Sequence, residues 1–395
     1  MARLRASSRP ASQRILSPAL ALLFTLAEAA SASFQCTRDA DCSLNGVCAA
    51  SACVCDAGWR GDDCGVLDLA PATRNSGYNR TGEDPPTSSW GGRIVRSPTD
   101  AGLFHLFAAE FTKNCGLDWW SPMSRIIRAE SRAGPEGPFS FVDEVVGTFA
   151  HNPTVVFDAL SQSYLLFSIG CAVPQPAACV QPSLECAPGN TLNGESGITL
   201  RTSQDLLTWS RVPGYALANG SAGAWDEDTT NPSAFVHTNG SVVLMYRGCP
   251  AQCESIEQIG FATAPSFAGP YTRAHASPIL QNHMEDAFVW QDMRGNYHFL
   301  AHSLEPGGGF GDGPKVGRHA FAADLFGEWT FGARELAFNT TVRFTDGSAE
   351  SFYRRERPQL LFSDDGKMTP QYLITGVQSV GVGTSFTLVQ PVATR

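Results

Sequence analysis

Beyond residue 32 this 395-residue sequence has no long apolar run. A membrane-spanning helix needs roughly 20 consecutive apolar residues, so no span is expected there. There is no basic cluster either, and the formal net charge is −10. That excludes the usual electrostatic footprint for nucleic acid or an anionic lipid surface. Charged residues make up only 17% of the chain, against 38 glycines and 25 prolines. This balance suits many short strands joined by turns. The cysteines lack the spacing of a zinc site, and neither a metal nor another cofactor is expected.

What is present begins with a leader. Arg3, Arg5, Arg9 and Arg14 give a basic start, Ile15 to Leu26 an apolar core, and Ala30-Ser31-Ala32 a small-residue cleavage site. Residues 1–32 therefore read as a secretory signal peptide, and the protein as secreted. The 12 cysteines, an even number, fit disulfides in an oxidising compartment. Sequons at Asn79, Asn219, Asn239 and Asn339 point to a glycoprotein.

Residues 33–65 hold Cys36, Cys42, Cys48, Cys53, Cys55 and Cys64. A segment this short buries too little to fold without crosslinks, and spacing alone leaves the pairing open. The spacing, with Cys53-Val54-Cys55 and the Gly58-Trp59 to Cys64 ending, resembles an EGF-like domain. That resemblance implies the pairs Cys36–Cys48, Cys42–Cys53 and Cys55–Cys64. Ser33-Phe34-Gln35 stands where the calcium-binding subtype has acidic and amide ligands, so no calcium is expected. Val47 likewise departs from the O-fucose consensus. Such a module serves as a spacer or as a contact for an extracellular protein. Residues 66–89, rich in Pro, Ser, Asn and Gly, read as a linker.

From residue 90 onward one hairpin recurs. An apolar strand, a turn of Gly, Asp, Asn or Ser, and a second apolar strand follow His151-Asn152-Pro153, Thr230-Asn231-Pro232, Glu285-Asp286-Ala287 and Glu356-Arg357-Pro358. A first copy starts at Trp90. Further strand pairs such as ITLRTSQDLLTWSRV follow the early hairpins. Four strands per unit and five units make 90–395 an all-β, five-bladed β-propeller. With the first strand of each unit innermost, its start and the end of the second strand meet at one mouth of the central channel. Trp90, His151, Asn152, Asn231, Glu285, Asp286, Glu356 and Arg357 are placed there, with Glu110, Arg247 and His302 from the second strands. Cys115, Cys171, Cys179, Cys186, Cys249 and Cys253 fall in the loops around that mouth and read as disulfides.

There is no recurring Gly-His…Trp-Asp pattern and no kelch double glycine. On Asn152-Pro153, Asn231-Pro232, Glu285-Asp286, Arg357-Pro358 and the Ser203, Asp205, Leu206, Trp209 hairpin, the domain resembles the five-bladed glycosidase superfamily of arabinanases, xylosidases, levansucrases and invertases (glycoside hydrolase family 43-like). The resemblance implies a glycan or polysaccharide ligand. Glycosidic bonds are cleaved by two carboxyl groups, one acting as acid and one as base or nucleophile. Glu285 and Glu356 are the acid/base candidates and Asp286 their support. Trp90, His151, Asn152, Asn231, Arg247, His302 and Arg357 are the substrate-binding candidates. Neighbours on a strand point to opposite faces, so Glu285 and Asp286 are not both expected in the channel. The family places Asp at the openings of the first two inner strands, where this chain has Trp90-Gly91 and His151-Asn152. Two functions follow: a secreted glycosidase-like enzyme, or a catalytically inactive lectin-like or adhesion propeller beside an EGF-like unit.

Overall fold

A computed structural model describes residues 34–180, 197–250, 253, 256–304, 316–332 and 334–393. The expected leader and Cys186 lie outside the described residues. The body is a five-bladed β-propeller preceded by a disulfide-rich EGF-like module. Four blades are four-stranded antiparallel sheets in sequential order. Their inner strands are Ser89–Arg96, His151–Asp158, Asp228–Val236 and Met284–Gln291, and blade five begins with Arg354–Phe362.

The second strand of each blade shows why a propeller forms. Phe104–Phe111 and Val242–Cys249 are buried at every position. Each blade is covered on both faces by its neighbours, so these strands read as continuous apolar runs rather than alternating ones. The faces meet pairwise around the ring. Phe107, Val155 and Leu166 join blades one and two; Leu165, Phe167, Leu244 and Tyr246 join two and three. Met245, Phe261, Val289 and Phe299 join three and four; Phe288, Leu300, Leu360 and Leu373 join four and five. Ile94, Leu106, Ile374 and Val389 close the ring between five and one.

Blade five departs from the expected pattern. Its own sheet has three strands, Arg354–Phe362, Pro370–Gln378 and Ser385–Pro391. Its outer edge is taken by residues 66–89, expected from composition to be a linker. Leu69 bridges Val392 and Tyr78 bridges Thr387. The amides of Tyr78 and Thr387 donate to each other's carbonyls at 2.9 and 3.2 Å. Tyr78 is fully buried, and its hydroxyl donates to Glu110 at 2.5 Å. Arg80 and Arg125 reach the same carboxylate at 3.1 and 2.5 Å. Glu110, placed at the channel by its register, is therefore an anchor for this segment and not part of the site. Composition misled because the segment is held by backbone pairing and one buried tyrosine, not by an apolar period.

In the EGF-like module the disulfides are Cys36–Cys48, Cys42–Cys53 and Cys55–Cys64, as the resemblance implied. The module is docked on blade four. Trp59 stacks on Trp290 at 6.3 Å and tilts against His319 at 5.0 Å. His298 is buried against Trp290 and His319, with its Nδ1 3.0 Å from His319 Nε2. Arg294 closes the rim on Asp56 and on the Leu44 carbonyl. Truncating a buried tryptophan costs about 3–5 kcal/mol. Trp59→Ala is therefore expected to lower the unfolding free energy by that order, measured by denaturant titration, with the three disulfides intact.

Burial holds His319 well below the ordinary imidazole range, and the charge of His298 adds to this. His298 is lowered too, by burial against the opposing pull of Asp292. Below about pH 6.5 the unfolded chain takes up protons that the folded pair refuses, so stability falls as pH drops. His319→Phe is expected to flatten that loss in thermal unfolding between pH 7 and 5.

Candidate functional site

The site is built from one backbone irregularity repeated five times. In every blade two residues of the inner strand oppose one residue of the second strand. The first of the two is left-handed each time: Gly91, Asn152, Asn231, Asp286 and Arg357 have φ of 56°, 53°, 51°, 59° and 58°. The second is Gly92, Pro153, Pro232, Ala287 or Pro358. A proline is tolerated there because the ladder is already interrupted. A bulge also breaks the two-residue alternation. As a result Glu285 and Asp286 both line the cavity, as do Glu356 and Arg357, and His151 and Asn152. The expectation that neighbours must diverge fails for this reason.

The cavity at the mouth measures about 350 Å³. Of the residues predicted from sequence, Trp90, His151, Asn152, Asn231, Arg247, Glu285, Asp286, Glu356 and Arg357 all line it. His302 is fully buried just behind it and joins the two glutamates: its Nδ1 is 3.1 Å from Glu285 and its Nε2 is 4.0 Å from Glu356. A chain of amides runs between blades. Asn152 Nδ2 donates to Asn231 at 2.6 Å, and Asn231 Nδ2 donates to Glu285 at 3.3 Å. Arg357 pairs with Asp286 of the neighbouring blade at 2.8 Å rather than with Glu356 beside it. His151 accepts or donates at Ser124 Oγ, 2.9 Å away, and lies under Trp120 at 4.9 Å.

Six cavity residues were not on the sequence list of site residues: Leu117, Trp120, Asp228, Cys253, Glu257 and Arg354. Glu257 and Arg354 carry no sequence signal, since one follows a cysteine loop and the other precedes the repeated cluster by two residues. Arg247 is 3.5 Å from Asp228 and 3.9 Å from Glu257. Two disulfides stand by the mouth, Cys115–Cys179 and Cys249–Cys253, and Cys171 is also oxidised.

The electrostatics separate the carboxyl groups. Burial alone would raise Glu285, but the hydrogen bond and charge of His302, with Arg247 and Arg357, pull it down to about 2. Burial pushes Glu356 up to about 6 against the opposing charge of His302, with Glu285 adding to the rise. His302 is lowered by burial and raised by Glu356 and Glu285, and the net direction is up. Glu257 is raised well above the carboxylate range, first by burial. Burial holds His151 well below the imidazole range, helped by Arg357, so it is neutral.

Glu285, Asp286, His302 and Glu356 each offer one donor atom, all within 4.8 Å of one another. These are the residues that would hold a divalent cation, which takes such oxygen-rich sets. Asp228 lies near Cys249 and Cys253 in the same way. Those sulfurs are joined in a disulfide and offer no thiolate.

Gly91 is required where it is. A Cβ there would lie 2.8 Å from Arg357 Cβ. Gly91→Ala is expected to destabilise by about 1–3 kcal/mol through overpacking and left-handed strain. It would also displace Arg357 from Asp286, which a crystal structure of the variant would show.

Comparison with known proteins agrees with both parts of the fold. Residues 39–66 match the family model of the Teneurin-like EGF domain. No curated protein sequence matches the chain. Among solved structures, the catalytic domain of a GH62 α-L-arabinofuranosidase from Coprinopsis cinerea aligns with TM-score 0.56 and 12% identity, over 82% of this chain and 97% of that one. A family 117 glycoside hydrolase from Zobellia galactanivorans aligns with TM-score 0.54 and 12% identity, over 82% and 88%. A thermostable family-43 glycoside hydrolase aligns with TM-score 0.52 and 12% identity, over 81% and 92%. The chain therefore joins an EGF-like module to a five-bladed propeller with the fold of these glycosidases.

Proposed function

We propose that this protein is a secreted, glycan-directed hydrolase that cleaves an extracellular or cell-wall polysaccharide at the channel mouth. The observation that carries this reading is the buried Glu285–His302–Glu356 array opening onto the cavity. Cleavage of a glycosidic bond needs one carboxyl group that keeps its proton and one that is ionised. Glu356, with its pKa pushed up to about 6, suits the acid that protonates the leaving oxygen. Glu285, held ionised by His302, suits the nucleophile. Their donor atoms lie within 4.8 Å. Trp90 and Trp120 offer faces for a sugar ring.

A binding role has its own support. The bulge positions of blades one to three are Gly91, Asn152 and Asn231, none of them acidic. Asp286 and Asp228 are each tied to an arginine. In this second reading the propeller is a lectin-like module that holds a glycan without cleaving it, and the EGF-like unit is its contact for an extracellular protein.

Incubation with arabino-, xylo-, galacto- and fructo-oligosaccharides, followed by mass spectrometry, separates the two. Glu285→Gln and Glu356→Gln are each expected to slow cleavage by about 10²- to 10⁴-fold, with thermal midpoints recorded alongside. An acid with its pKa at about 6 predicts that activity falls as pH rises through 6. Retained binding without any cleavage would establish the lectin-like reading.

A further inference from the structure

The cavity has three arginines and five carboxylic acids, and they are not equivalent. Arg357 is paired with Asp286 at 2.8 Å, and Arg247 is held by Asp228 at 3.5 Å and Glu257 at 3.9 Å. Arg354 is different. It lines the same cavity, yet among the described residues it has no carboxylate within ion-pair distance and no hydrogen-bond partner for its Nε, which is buried. The face of Tyr353 lies 5.9 Å from it, and its charge lowers the proton affinity of Glu356 without an ion-pair contact. It precedes Glu356 by two residues on the same inner strand, on the wall where Trp90 packs over Gly376.

A half-buried guanidinium with no carboxylate in ion-pair contact, its charge reaching only Glu356 from farther off, is costly unless something else pairs with it. Its planar fork matches a carboxylate or sulfate bidentately. Resting on the glycan reading above, we infer that Arg354 is a specificity determinant of this cavity, and that the saccharide it selects carries an anionic group, a uronate carboxylate or a sulfate ester. The ionised carboxylates nearby already have partners: Glu285 is hydrogen-bonded to His302. Asp286 and Asp228 are spent on Arg357 and Arg247. Burial raises Glu257 well above the carboxylate range, against the pull of Arg247. The anionic substituent would sit on the Arg354 side, and the ring would lie against the tryptophans, with the Glu356 acid between them.

The test is calorimetric binding of three oligosaccharide sets to the purified protein: neutral arabino- and xylo-oligosaccharides, oligogalacturonides, and sulfated galacto-oligosaccharides. Wild type, Arg354→Gln and Arg354→Lys are compared, and the thermal midpoint is recorded for each. An anionic set is expected to bind about 10- to 100-fold more tightly than the neutral set in wild type. Arg354→Gln removes that advantage, weakening the anionic sets far more than the neutral one. Arg354→Lys, which keeps the charge and loses the fork, falls between. Whichever of the uronate and sulfate arms is tighter identifies the group. Binding of neutral sugars alone, unaltered in Arg354→Gln, would overturn this inference and leave the glycan reading standing. An equal loss for all three sets in both variants would make Arg354 merely structural. No binding by any set would overturn both.

Discussion

The site depends on a single backbone device: a left-handed residue near the start of each inner strand. An undisturbed strand would send neighbouring side chains to opposite faces, and each blade would give the channel one residue of the pair. With the bulge each blade gives both. Left-handed backbone costs about 1–2 kcal/mol at an ordinary residue and less at Asn or Asp, whose short side chains hydrogen-bond locally. The chain follows that preference at Asn152, Asn231 and Asp286, and uses Gly91 where no side chain fits. Arg357 is the exception, and its compensation is visible in the buried pair with Asp286. Strain of this kind, concentrated around one cavity, is a mark of function rather than of folding convenience.

The ring distributes roles by blade. Blades one and two supply the aromatic side, through Trp90, Trp120 and His151, and the neutral amide of Asn152. Blades four and five supply the titrating groups, joined through His302. Blade three contributes Asn231, which links the two sides, and the Arg247 cluster. Because His302 touches both glutamates, its proton and theirs titrate together. The low position of Glu285 and the high position of Glu356 are one electrostatic fact seen from two residues.

Much of this was legible before any coordinates. The recurring cluster at the start of each hairpin gave the blade count, the innermost strand and eight residues that do line the cavity, and the end of a second strand gave a ninth, Arg247. The cysteine spacing carried the EGF-like pairing by resemblance. What stayed hidden has physical reasons. Bulges leave no reliable mark in sequence, because Asn-Pro also reads as turn chemistry, so the joint entry of Glu285 and Asp286 was missed. Glu257 and Arg354 reach the cavity by where their strands begin, which periodicity does not fix. Glu110 was placed at the mouth by register alone. Its partners, Tyr78 and Arg80, lie in a stretch whose composition resembles a linker.

That stretch has a consequence for how the molecule is assembled. The edge of the last blade is covered by a segment that precedes the first blade in the chain, so the two ends of the propeller are fastened to each other by Tyr78, Thr387 and Glu110. During synthesis the fastening emerges first and its partner strand last. Until Ser385–Pro391 is made, the clasp has nothing to close on; once it is made, that strand has a bare edge until the clasp arrives. Bare edges invite pairing with other chains. The crosslinked, docked EGF-like module holds the waiting segment near blade four, beside the place where the ring must shut. A unit that looks like an appendage would then serve as the handle by which the circle is drawn closed.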